Sequence, residues 1–314
     1  MWINIFKMMN SEKKYLWKEA IKWPLYILAI MPVIISASYY LSIGRVFNIR
    51  NFFIFLIASI LLLLWENLTN DLFDSFTGID EFKFHSLVNL LGNKKLISKL
   101  SVLSFIIGIL LISFLSINTS FKVLLLVSGS CFLGYIYQGP PFRLGYLGLG
   151  EPLCWIAFGP FAYGASLLAI APLNISLDFI PWNTSLIIGS GPALATSLVL
   201  FCSHFHQIDE DRKYGKKSPL VYLGTKRSSL IIPAIILIIY ILEIYPTIIK
   251  QLPISSLICI LSLPWALTLI NSTILNHNNK SVMKSCKYKA LRFQSINGIL
   301  FALGLSINYF NKIY

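Results

Sequence analysis

Windows of about 20 apolar residues, the length that crosses a bilayer core of about 30 Å, recur along the whole chain and leave it few ways to fold. They lie at Pro24–Leu41, Asn51–Leu68, Ser101–Ile117, Val123–Tyr137, Pro152–Pro172, Ser185–Phe205, Ser229–Ile249, Pro253–Ile270 and Phe293–Tyr309. A backbone inside lipid has no water to bond, so each window is predicted to be a helix that satisfies its own N–H and C=O groups. The expected fold class is all-α, a polytopic membrane bundle of about nine transmembrane helices. No long polar segment separates the windows, so residues 1–314 read as one integral membrane domain, with 1–23 a basic segment before the first span. With 56% hydrophobic and 12% charged residues, a soluble globular class is excluded.

A net charge of +13 raises nucleic acid as a partner, and its distribution removes it. If the N-terminus is cytosolic or stromal, all but five of the 26 Lys and Arg residues fall on that side. The five are Arg45, Arg50, Lys122, Lys250 and Lys312. This positive-inside pattern supports both the span count and the orientation, and anionic membrane lipids are the partner such a surface meets. The first 23 residues hold Lys, Glu and Trp with no small-residue cleavage site, so neither a cleaved signal nor a transit peptide is expected. Heavy use of Ile, Lys and Asn points to an AT-rich genome such as a plastid's own. Cys131, Cys154, Cys202, Cys259 and Cys286 are scattered without a C-x-x-C pair, so metal or disulfide roles are not expected.

Directly after the second window comes NLTNDLFDSFTGID, residues 67–80. Asn67, Asn70, Asp71 and Asp74 are spaced i, i+3, i+4, i+7 and share one stripe of the helix. That stripe must face the bundle interior or a watery cavity, because a carboxylate turned toward lipid costs roughly 3 kcal/mol. The acids also sit at the negative end of the helix dipole, and two carboxylates about 4 Å apart repel by about 4 kcal/mol at an effective dielectric near 20. A bound cation offsets all three terms.

A second cluster follows the sixth window in SHFHQIDEDRKYGKKSPLVYLGTKR, residues 203–227. Ser203, His204, Gln207 and Asp211 repeat the one-face spacing, with Asp209 and Glu210 beside them. Seven of the 13 acids thus gather at two helix ends on one side of the membrane: Asp71, Asp74, Asp80, Glu81, Asp209, Glu210 and Asp211. SLVNLLGNKK from Ser86 aligns with SPLVYLGTKR from Ser218, which suggests an internal repeat and a pseudo-symmetric cavity between two halves.

Hard oxygen donors without Cys favour magnesium, which takes one or two carboxylates and completes its shell with water and phosphate. Lys94, Lys95, Lys216 and Lys217 lie near the acids and could hold the remaining phosphate oxygens. That combination binds a diphosphate. No Walker-type G-x-x-x-x-G-K-[ST] is present, so a nucleotide fits poorly. A diphosphate at a membrane-embedded metal site points to a lipid diphosphate, ionised as metal and lysines stabilise charge on the leaving group.

The N-D-x-x-D pattern after the second window and the acidic pattern after the sixth resemble the UbiA-type superfamily of intramembrane aromatic prenyltransferases. Within it, NLTNDLFDSFTGID, HSLVNLLGNK, YQGPPFRLGYLGLGEP (Tyr137–Pro152) and HQIDEDRKYGKKSPLVYLGT (His206–Thr225) are similar to the branch that acts on 1,4-dihydroxy-2-naphthoate. The resemblance implies a UbiA-like bundle with a central cavity, Mg2+ as cofactor, and transfer of a phytyl or other prenyl group, such as geranylgeranyl, from its diphosphate. The acceptor it implies is 1,4-dihydroxy-2-naphthoate, or the 2-carboxy-1,4-naphthoquinone form, with decarboxylation on the path to phylloquinone or menaquinone. It also implies a plastid (thylakoid) or cyanobacterial membrane with the active-site loops on the stromal or cytosolic side.

Residue by residue, the resemblance makes Asp71, Asp74, Asp80, Asp209 and Asp211 the expected metal ligands and Asp71, Asp74, Asp211 and Arg143 the catalytic set. Substrate contacts are expected from Asn67, Asn70, Lys94, Tyr137, Arg143, Gln207, Lys216 and Lys217. Gln207 stands where the wider superfamily usually has an acid, with Asp209 or Glu210 as substitutes, and Gly78 stands where it has a third Asp. His204 and His206 read as helix-end residues. Two alternatives stay open: a prenyltransferase for homogentisate or chlorophyllide, and an ion-coupled transporter, whose acids would lie mid-span rather than at span ends.

Overall fold

Lipid leaves an apolar backbone only closed, self-bonded structures, and every regular element among the described residues is a helix. The computed structural model describes residues 22–78, 86–173 and 178–310. Among them, nine helices are long and apolar enough to cross a membrane: Trp23–Ser42, Ile49–Thr77, Lys94–Asn118, Phe121–Gln138, Gly150–Ala169, Trp182–Lys213, Pro219–Ile248, Ile254–Asn276 and Lys280–Ile307. Each overlaps one of the expected windows. The second and sixth spans differ most usefully, since they continue as helix past Leu68 to Thr77 and past Phe205 to Lys213. Hydropathy alone stops a span at its first polar run. Here that run is the inward stripe of an unbroken helix.

Successive spans pack on one another and the ninth returns to the first, which closes a ring. The first and sixth spans are the most enclosed, with 72% and 78% of their apolar windows buried, against 33% or less in the second, third, fourth, seventh and eighth. Outward faces of those peripheral spans carry exposed Leu110, Leu125, Phe132, Leu237 and Leu267, as a lipid-facing surface requires. Apolar packing divides into two main cores. One centres on the first five spans around Val33, Ile112, Tyr163 and Leu167, and the other on the sixth to ninth around Cys202, Ile236, Ala290 and Phe293.

The aligned repeat segments adopt matching local structure. Ser86 and Ser218 are extended and each precedes a helical turn, and Gly92 (φ 60°) and Gly224 (φ 75°) then break the helix before the following span. Both glycines occupy the left-handed region that a side chain disfavours. The fifth span is interrupted at Ala157–Phe161, where Gly159 leaves helical geometry and Pro160 has no N–H to give. On the side away from the acids, Asn51 Nδ2 donates to the Ala169 carbonyl at 2.9 Å and Tyr40 Oη to that of Leu167 at 2.7 Å. These bonds satisfy carbonyls that the end of the fifth span leaves open.

Candidate active site

Because even-numbered spans end on the side where the first begins, Asn67–Asp74, Tyr137–Gln138 and Ser203–Asp211 come to one end of the ring beside Lys22. They surround a cavity of about 210 Å³. Lys22, Asn67, Asn70, Asp71, Asp74, Tyr137, Gln138, Gln207, Lys216 and Lys287 form its polar part. Its deeper wall is apolar, with Leu25, Leu63, Leu133, Leu153, Phe158 and Val199.

The two acidic helix ends are held by cations and donors. Asp71, 2% exposed, pairs with Lys22 Nζ at 2.8 Å, and Asp74 accepts a hydrogen bond from the Gln138 amide. Asp211, 1% exposed, meets His204 Nδ1 at 3.0 Å and Lys216 Nζ at 3.9 Å. The other ring nitrogen of His204 lies 3.6 Å from Glu151 Oε1, so the imidazole bridges a carboxylate of the fifth span and one of the sixth. Lys216 is buried and stands 6.0 Å and 5.7 Å from the ring centroids of Tyr137 and Tyr146.

The segment between the fourth and fifth spans straps the two motifs together. Tyr146 Oη donates to Thr77 Oγ1 at 3.0 Å at the end of the second span, and its carbonyl accepts from Lys217 N at 2.8 Å beyond the sixth. Burial pushes the Tyr146 phenol above its ordinary range, against the pull of its bond to Thr77, so it stays a donor at neutral pH. Gly145 and Gly150 flank the Tyr137 ring, where a Cβ would fall 2.5 Å and 2.8 Å from Cε2. Only glycine lets the strap close over that ring.

Of the expected residues, Asn67, Asn70, Asp71, Asp74, Tyr137, Gln207 and Lys216 line the cavity together, and Asp211 meets it through Lys216 and His204. Four others are not brought there. Asp209, an expected metal ligand, is exposed and pairs with Lys280 away from the cavity, and Glu210 is exposed beside it. Lys94 donates to the Ser75 carbonyl at 3.1 Å and covers the Phe76 ring, so it closes the helix end rather than the cavity. The Lys217 side chain is exposed; its backbone does the work. Arg143 sits in the strap with left-handed φ 45°, its guanidinium 6.0 Å from the Tyr146 ring and its Nε buried without a hydrogen-bond partner. Asp80 lies outside the described residues.

Sequence reasoning missed Lys22, Glu66, Gln138, Glu151 and Lys287. Lys22 and Lys287 read as ordinary positive-inside charges, and Gln138 stands in the YQGPPFRLGYLGLGEP segment without being singled out there. Glu66 and Glu151 did carry one, since an ionisable residue within a span points to function.

The donor set fits magnesium in one way. Among the described residues no three acidic, His or Cys side chains come close enough to enclose a metal. An ion here would take one or two carboxylates and share the rest of its shell with phosphate and water, as magnesium does. Asn67 Nδ2 and Gln138 Oε1, on residues that line the cavity, are further buried polar atoms without a hydrogen-bond partner.

This arrangement has close counterparts. The sequence pattern of the UbiA prenyltransferase family matches residues 29–296. A 2-carboxy-1,4-naphthoquinone phytyltransferase of Synechocystis sp. is 40% identical over 92% of this chain and 92% of its own. The chloroplastic 2-carboxy-1,4-naphthoquinone phytyltransferase of Arabidopsis thaliana is 36% identical over 94% of this chain and 77% of its own. Among solved structures, a UbiA homolog from Archaeoglobus fulgidus bound to DMAPP and Mg2+ shares the fold at a TM-score of 0.56, with 11% identity over 91% of this chain and 99% of that one. Nine apolar helices among the described residues, a family match over residues 29–296 and 40% identity to a relative over most of the length lead to one conclusion: the chain belongs to the UbiA prenyltransferase family.

Proposed function

We propose that the chain transfers a phytyl or other prenyl group from its diphosphate to 1,4-dihydroxy-2-naphthoate, or to the 2-carboxy-1,4-naphthoquinone form, with loss of carbon dioxide, in phylloquinone or menaquinone biosynthesis. The observation that carries this reading is the cavity itself. Asp71 and Asp74 of the second span line it beside Lys22, and Lys216, which pairs with the buried Asp211 of the sixth, lines it as well, above an apolar wall. Such a mouth takes a diphosphate and such a wall takes a hydrocarbon chain. The 40% identity to a relative named for phytyl transfer supports the choice of substrates.

Asp71 and Asp74 on the second span, and Asp211 on the sixth, would hold Mg2+ through one or two carboxylates at each helix end, and the metal when bound supplies positive charge to the departing diphosphate. Lys22 and Lys216 add charge from opposite walls, Asn67 and Asn70 offer amides to phosphate oxygens, and Tyr137 presents an aromatic face to cationic character on the allylic carbon. Leu63, Leu133, Leu153 and Phe158 keep water from that carbon. Arg143, at the strap, is the residue best placed to meet the carboxylate of the ring as it enters. The chloroplastic and cyanobacterial relatives support a plastid or cyanobacterial membrane. The basic loops would face the stroma or cytosol and its anionic lipids.

The acceptor is the substrate to test. Membranes from a host without its own enzyme are given phytyl or geranylgeranyl diphosphate, magnesium and, in parallel, 1,4-dihydroxy-2-naphthoate, homogentisate and chlorophyllide. Prenylated, decarboxylated product and release of carboxyl label are expected from the first tube alone. Product from homogentisate or chlorophyllide, with none from the naphthoate, overturns the reading.

A further inference from the structure

The second span carries one more acid, Glu66, that the diphosphate site leaves unused. It lies four residues before Asn70 and eight before Asp74, on the same helical face but deeper toward the middle of the membrane. It lines the polar cavity and also a second, largely apolar cavity of about 90 Å³. Leu63, Ser130, Ala157 and Phe158 line both as well, so Glu66 stands in the neck between them. Gly134 of the fourth span faces it, where a Cβ would lie 3.4 Å from Glu66 Cδ and 3.5 Å from Oε1.

The other described acids at the cavity face a hydrogen-bonding or basic side chain: Asp71 has Lys22, Asp74 has Gln138, Asp211 has His204 and Lys216, and Glu151 stands 3.6 Å from His204, though its oxygens make no hydrogen bond. No hydrogen bond or ion pair from a described residue reaches the Glu66 carboxyl. A carboxyl at the edge of an apolar space within a membrane is costly unless something pairs with it. The substrates of the proposed reaction narrow the choice. Diphosphate is an anion, and the prenyl chain has no donor to give a carboxylate. The acceptor's own carboxylate is repelled. Its ring hydroxyl remains.

We propose that Glu66 is an acceptor-binding residue whose carboxylate takes a hydrogen bond from a ring hydroxyl of the hydroxylated naphthoate seated in the neck. This rests on, and deepens, the prenyl-transfer reading. It places the ring where the mouth for the diphosphate gives way to the apolar space, beside the carbon to be joined. It also makes the site selective for a ring that presents O–H over one in which that oxygen is capped.

The test pairs a change in the enzyme with a change in the ring. KM and kcat are measured for 1,4-dihydroxy-2-naphthoate and for its two monomethyl ethers, in wild type, Glu66→Met and Glu66→Gln. Methionine suits the apolar neck and removes the carboxylate, so this variant should fold at least as well as wild type. In wild type, one ether should have a KM about ten-fold or more above that of the naphthoate, as loss of a charged hydrogen bond implies. In Glu66→Met that ratio should fall to about two-fold or less, with KM for the prenyl diphosphate and half-saturation by magnesium unchanged; Glu66→Gln should lie between. A ratio that persists in Glu66→Met refutes the proposal. So does a shift in magnesium or prenyl diphosphate dependence alone, which would make Glu66 part of the metal site. Wild type active with the 2-carboxy-1,4-naphthoquinone form alone also refutes the proposal, since that ring has no O–H to give, whereas wild type inactive with both forms would instead overturn the proposed function.

Discussion

At the residue scale, charge pairing across the cavity decides what each side chain can do. Asp71 is nearly inaccessible and sits against Lys22, so replacing it by asparagine removes the lysine's counter-charge and, on the proposed function, a ligand of the metal. Asp71→Asn should lower kcat by about 100-fold or more, roughly 2.7 kcal/mol of transition-state stabilisation. Lys284→Ala, at an exposed position away from the cavity, should leave the rate unchanged. EDTA should silence the wild type and magnesium should restore it. Undiminished product from Asp71→Asn membranes, or turnover in EDTA, would remove the metal assignment. Lys22 shows how far identity can mislead, for in the chain it is one of several N-terminal lysines, and only in the fold is it the counter-charge of a motif acid.

At the element scale, close helix approach stands in for the hydrophobic drive that lipid does not provide. Gly304 of the ninth span is the tightest example, since a Cβ there would lie 2.4 Å from the Ser255 carbonyl oxygen and 2.7 Å from the Ser256 Cα. Both obstacles are backbone and neither can swing aside. Gly304→Ala should therefore force the eighth and ninth spans apart and cost about 1–3 kcal/mol, read as a lower melting temperature in detergent. Its effect on KM should be small, because neither span touches the cavity near residue 304. An unchanged melting temperature would mean that the two helices are held less closely than described. Elsewhere, polar side chains do the fastening: Asn297 Nδ2 reaches Glu243 at 2.9 Å and Ser262 Oγ at 3.2 Å, which ties the seventh, eighth and ninth spans through one buried amide.

For the whole molecule, nine spans among the described residues put the start of the first and the end of the ninth on opposite sides, and the acids at the ends of even spans share the side where the first begins. The proposed orientation, with that side stromal or cytosolic, follows from its excess of basic residues. In sealed thylakoid or cyanobacterial vesicles of known sidedness, and with the five native cysteines replaced, Lys284→Cys should react with an impermeant thiol reagent from the stromal or cytosolic face. Lys250→Cys should react only from the other. Labelling of both from one face would overturn the span count or the orientation.

What the chain by itself determined follows from short-range physics. Apolar length marked the nine spans found among the described residues, helical period put Asn67, Asn70, Asp71 and Asp74 on one stripe, and the alignment of the two repeat segments paired Gly92 with Gly224, whose shared left-handed backbone only the structure shows. Two glutamates were legible in principle, since Glu66 lies within a span and Glu151 in a recognisable motif. The tertiary structure alone decided which neighbours of a motif acid enter the cavity. On the sixth span, the rotation of the helix against its partners buries Asp211 and turns Asp209 outward to Lys280, two residues away. The pairing of Lys22 with Asp71, of Gln138 with Asp74 and of Glu151 with His204 joins residues 49, 64 and 53 positions apart. No local pattern carries such distances, because they are set by how the ring of helices closes.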